Sequence, residues 1–223
     1  MVNDHPTSLS EAIDTVSEAL FLERPISDEL RIDTITLLIN RQIHTGTNNG
    51  FFLPLSSEPD LPYRLFSGEQ LHTKLARRHI QLIEATRLLS LLTQGGHSAA
   101  RSIKLAESRM DTMCYSKFCA SGECKAISVA YLRYLASSAP KSAVDRLSFF
   151  LASLASHRDG KGAWRGFPYF YTLLTLSEMD RSMSNNELQY ALGSFEKRLA
   201  RSHSAEPFTR RRQLILNRIL SWS

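Results

Sequence analysis

From Ser8 onward the chain is a succession of segments whose apolar residues recur every three or four positions. No segment of length alternates apolar with polar, as a half-buried strand would. Ile13, Val16, Ala19 and Leu20 share one such stripe, and Ser8 to Glu11 opens it in the manner of a capping box. Pro25 ends that segment, and Ser27-Asp28 opens a second with Leu30, Ile32, Ile35, Leu38 and Ile39 inward. The longest helix is expected from Ser67-Gly68-Glu69 to about Leu92, closed by Gly95-Gly96. Further helices are expected over 98–113, 125–136, 141–156 and 168–179. Another, capped by Ser184-Asn185-Asn186, runs to about Ala200, and a last one runs from Pro207 to Trp222. Residues 44–62 form the longest stretch rich in turn formers. The fold class implied is all-α.

At 223 residues and 43% hydrophobic, the chain reads as one helical domain, 1–223, with core enough to fold alone. The net charge of +5 allows acidic partners without requiring one. No apolar run reaches the roughly 18 residues of a membrane span. The first twenty residues mix acids into apolar positions and lack the basic start of a secretory signal. Three cysteines in such a chain imply free thiols in a reducing compartment, the cytoplasm being the expected location.

The helices group as approximate αα-hairpins over 28–93, 98–137 and 142–180, followed by C-terminal helices over 184–222. Laying Cys114 on His157 also lays Ile127 on Phe170 and Ala130 on Leu173, an agreement of pattern with almost no identity. Three irregular loops, within 44–66, 114–124 and 157–166, would then emerge at one end of the stack. Repeat scaffolds place their binding surfaces on such an end.

Asp159, Gly160, Trp164 and Thr172, in HRDGKGAWRGFPYFYTLLTL, resemble one repeat of the α/α-toroid superfamily of terpenoid cyclases and protein prenyltransferase β-subunits. The resemblance implies stacked αα-hairpins forming a partial α/α-toroid or a helical-repeat superhelix. The family's Asp-x-Asp-Asp, Asp-Asp-x-x-Asp and zinc-binding Asp-x-Cys motifs are absent. The fold expectation therefore carries over, and the catalysis does not.

Cys114, Cys119 and Cys124 form a C-x4-C-x4-C pattern across a glycine-containing loop. A loop lets thiolates converge, and thiolates suit zinc or an iron–sulfur cluster. The spacing is longer than in common zinc patterns, and buried cysteines also serve as small hydrophobes. If the hairpins stack, His157 starts the equivalent loop one repeat on and would complete a Cys3His site. A thiol at 114 or 124 with His157 as base is the nucleophilic alternative. Glu69, His72 and His79 would share a stripe on the expected long helix, Glu69-x-x-His72 matching half of a di-iron motif. The plain alternative is a capping acid beside surface imidazoles.

Arg158, Asp159 and Arg165 flank Trp164 and would suit an anionic ligand. Trp164 itself reads as a ring packed over the hairpin end with its N–H bonded locally. Phe167 and Tyr169, with Phe170 and Tyr171, would line a hollow for an apolar substrate in an enzyme of toroid type. The C-terminal Lys197, Arg198, Arg201, Arg210, Arg211, Arg212 and Arg218 would serve nucleic acid if they share a face, and otherwise form a solvated surface. The reading that unites these features is a helical-repeat binding protein. Its small-molecule or protein site would lie at the loop end, stapled by metal.

Overall fold

In the computed structural model, residues 8–54, 63–93, 97–138, 144–200 and 207–221 are described. Residues 55–62 of the long irregular segment, Gly95-Gly96, the expected break at 139–140, Arg201 and Trp222 lie outside them. The described residues hold ten α-helices and one very short hairpin, so the all-α expectation holds. In chain order these are α1 (Leu9–Phe21), α2 (Asp28–Arg41), β1 (Tyr63–Arg64), β2 (Gln70–Leu71), α3 (Lys74–Thr93) and α4 (His97–Asp111). A 3₁₀ turn (Cys114–Lys117) follows, then α5 (Cys124–Ser138), α6 (Val144–Ala155), α7 (Tyr169–Ser177), α8 (Arg181–Leu192), α9 (Phe195–Ala200) and α10 (Phe208–Leu220).

Local chemistry explains most boundaries. The Ser8 hydroxyl accepts from Glu11 N at 3.0 Å, and Ser27 does the same for Leu30 at 3.2 Å. Two boundaries differ from expectation. The long helix starts at Lys74, because Tyr63–Arg64 and Gln70–Leu71 pair as an antiparallel hairpin. Gly68, with φ +91, supplies the turn between those strands. The expected 184–200 helix is two helices, broken at Gly193, and it starts earlier because Asp180 rather than Ser184 caps it.

α3 is the hub. It packs most extensively on α5 and α4, and also against α1 and α2. α5 continues to α7, and α7 to α10. Arg211 on α10 then reaches Asp14 at 2.7 Å and Glu18 at 2.9 Å, both on α1. α2, α4, α6 and α8 lie outside this series, with α6 against α5 and α8. All nine residues of α7 are buried.

A helix enclosed on all sides normally carries only apolar side chains. α3 instead buries Arg77, His79, Gln81, Glu84 and Arg87. Glu84 meets Arg87 at 2.8 Å and Arg133 of α5 at 3.0 Å, and Arg133 meets Glu178, just past α7, at 2.6 Å. The Tyr171 hydroxyl donates to Glu84 as well. Burial alone would raise the Glu84 pKa. Arg133, Arg87 and the Tyr171 hydroxyl outweigh it and hold that pKa at about 2.

Candidate metal centre

The chain leaves α4 at Asp111 and enters the 3₁₀ turn, where Cys114 is exposed. Phe118 follows in the left-handed region at φ 60, an unusual state for a bulky side chain that costs about 1–2 kcal/mol. Its ring is anchored between Phe150 (5.3 Å) and Phe167 (5.6 Å), which holds the backbone in this reversal. The reversal turns Cys119 back toward Cys114, and the Ser121–Gly122 turn brings Cys124 to the start of α5. The three Sγ atoms lie within 4.8 Å of one another, Cys114 and Cys124 at 3.9 Å. These three cysteines lie close enough to hold a metal ion.

The thiols differ electrostatically. Burial raises the Cys119 pKa, but the Ser121 N–H and the neighbouring thiols of Cys114 and Cys124 outweigh it, leaving it below the usual thiol value. Cys124 is pushed up to about 12, by burial first and then by the Cys114 charge. The α5 N-terminus favours a thiolate there but does not offset those effects. Cys119 is thus more acidic than an ordinary thiol and Cys124 less so. A bound cation would release the remaining protons.

Other residues singled out from the sequence lie elsewhere. The His157 ring packs against Phe118 (5.8 Å) and Phe167 (5.4 Å), and its Nδ1 lies 2.8 Å from the Ser153 carbonyl. It does not converge with the three thiols among the described residues. Glu69, His72 and His79 do not share a helical stripe, since Glu69 and His72 precede α3. The Glu69 carboxylate accepts from Tyr171 N at 3.0 Å, capping α7, and from the Ser67 hydroxyl at 2.5 Å. The His72 N–H donates to Glu123 at 2.6 Å, and His79 is buried inside α3.

The Trp164 indole is buried and donates to Glu187 of α8 at 2.7 Å, a partner far along the chain rather than a local one. Arg158 pairs with that same carboxylate at 2.5 Å. Asp159 accepts from Lys161 N (2.7 Å), Ala163 N (3.0 Å) and the Tyr190 hydroxyl (2.9 Å), fastening the loop to itself and to α8. Arg165 is exposed. Phe167, Tyr169, Phe170 and Tyr171 are buried in the core. Tyr171 borders a cavity of about 10 Å³, room for one water, together with Asp14, Ser17, Glu84 and Arg133. Among the described residues the C-terminal arginines do not share one solvated face, since Arg210 is exposed and others are not. Arg211 and Arg212 turn inward, and Arg218 donates to the Phe21 carbonyl at 3.0 Å.

Two features had no signal in the sequence. One is the buried charge network on α3 and α5. The other is a cleft of about 500 Å³ bordered by Asp14, Thr15, Tyr63, Arg77, Phe208 and Arg211. No family model, curated protein or solved structure matches the chain. Among the described residues no helix is long and apolar enough to cross a membrane.

Proposed function

We propose that this is a metal-binding helical protein in which Cys114, Cys119 and Cys124 hold a single soft ion, zinc foremost. The observation that carries the reading is the approach of three Sγ atoms to within 4.8 Å across a loop whose reversal is enforced by an anchored phenylalanine. With zinc–sulfur bonds of ~2.3 Å, tetrahedral geometry sets sulfur–sulfur edges of about 3.8 Å. The Cys114–Cys124 separation of 3.9 Å is already near that edge. A four-iron cluster, in which each cysteine takes a different iron, calls for wider spacing than this.

The ion would fasten the end of the 3₁₀ turn to the start of α5. Glu123, beside Cys124, caps α3 through His72 N (2.6 Å) and Thr73 N (3.1 Å), so the fastening would extend to the hub helix. The loop next to it, 157–167, packs on Phe118 and offers the exposed Arg165 as the place to seek a ligand or partner. A reducing compartment such as the cytoplasm keeps the thiols available.

Elemental analysis of the purified protein tests the reading. One equivalent of zinc is expected, lost in Cys119→Ser, with chelator lowering the melting temperature. Metal-free protein that takes up none on reconstitution and melts unchanged with chelator would overturn it.

A further inference from the structure

We infer that the thiol triad holds its ion by three sulfurs only, and that the fourth coordination position faces solvent and takes a thiolate from solution. The inference rests on the metal-binding reading and deepens it. Structural zinc sites are closed by four protein ligands, whereas sites that exchange a ligand keep one position open.

His157, Glu123 and Asp111, three candidates for a fourth ligand, already hold other partners. His157 is held by its Nδ1 at 2.8 Å from the Ser153 carbonyl, and its ring is packed between Phe118 and Phe167. Moving it onto the ion would break that bond and unpack both rings. Glu123 commits its two oxygens to His72 N and Thr73 N, which cap α3. Asp111 faces Arg146 at 3.2 Å and the Tyr131 hydroxyl at 3.4 Å. Cys114 is exposed while Cys119 and Cys124 are half-buried, so the triad is open to water at least on its Cys114 side.

Softness and charge select the incoming group. An ion already on three thiolates is matched by a further soft donor. Three thiolates around a divalent ion leave one net negative charge, and a fourth makes two. Lys117, exposed in the 3₁₀ turn, and Lys125, whose ammonium lies 5.9 Å over the Phe167 ring, are the cations adjacent in sequence to the thiols. In the exchange a metal-bound water leaves and the metal–sulfur bond forms. The thiol proton goes to solvent, and no electron is transferred.

Cobalt(II), which takes zinc's geometry and absorbs visibly, provides the test. The full chain is loaded with cobalt, desalted and titrated with 2-mercaptoethanol. Wild type is expected to keep its cobalt and to show a saturable shift of the cobalt bands. His157→Ala is expected to match it in spectrum and in cobalt affinity. An unmoved spectrum would overturn the open position. So would a changed His157→Ala spectrum, or an affinity loss of about tenfold or more, the scale of a lost metal-site partner. If wild type takes up neither cobalt nor zinc, the metal-binding reading itself fails and the inference falls with it.

Discussion

His79 lies between Phe51 and Tyr115, with ring centroids 5.1 and 5.2 Å away and its Nδ1 3.3 Å from the Tyr115 hydroxyl. Burial, followed by the charges of Arg78 and Arg109, pushes its pKa down to about 4. The unfolded chain, with an ordinary histidine near 6.5, therefore binds the proton that the folded state refuses. Stability is full above pH 6.5 and is lost as pH falls from there toward 4, the loss reaching about 2 kcal/mol at pH 5. Urea unfolding at pH 7.5 and pH 5 should show this fall in wild type and a flatter response in His79→Gln. An equal fall in both proteins would assign the titration to another group. The sequence placed this histidine on one helical stripe with Glu69 and His72, because spacing alone treats residues 69–79 as one helix. The hairpin that interrupts that helix depends on Tyr63 and Arg64, which pair with Leu71 and Gln70.

Gly68 makes that hairpin a docking element. A Cβ at this position would lie 2.7 Å from Cβ and Cγ of Phe208, the first residue of α10. Immediately before it, the Phe66 carbonyl accepts from Arg211 at 3.2 Å and the Ser67 carbonyl from Arg212 at 2.7 Å. Gly68→Ala therefore meets a left-handed backbone penalty and a clash at once. A loss of about 2–3 kcal/mol is expected. Hydrogen exchange should show amides of α10 and residues 63–71 opening first, and uniform protection would show that the turn does not hold α10. Trp164 is the parallel case at the other loop. Its burial and bonded N–H were legible from an aromatic in a glycine-rich turn, but its acceptor, Glu187, stands on a helix that the sequence had begun too late.

Across the molecule, Arg133 joins Glu84 and Glu178 and so ties α5 to α3 and to the end of α7. Replacing it with methionine preserves much of the volume but leaves Glu178 without its cation and Glu84 with Arg87 alone. Arg133→Met should cost about 3–5 kcal/mol in urea unfolding, and adding Glu84→Gln should return part of it. A loss below about 1 kcal/mol would show that packing alone holds the centre.

The sequence by itself determined the helical class, most helix limits and the three thiols as a set, because each depends on residues within about ten positions of one another. Apolar period, caps and a turn-forming loop act at that range. Only the tertiary structure decided that His157 stands apart from the thiols, that four aromatics at and just before the start of α7 fill a core, and that Arg211 and Arg212 turn inward. Each of those outcomes depends on a partner supplied by a distant segment, such as Phe118 for His157 or Asp14 for Arg211. A charged or aromatic side chain carries no local mark of whether such a partner will arrive. The packing of helices settles that, by setting the cost of leaving the group buried alone.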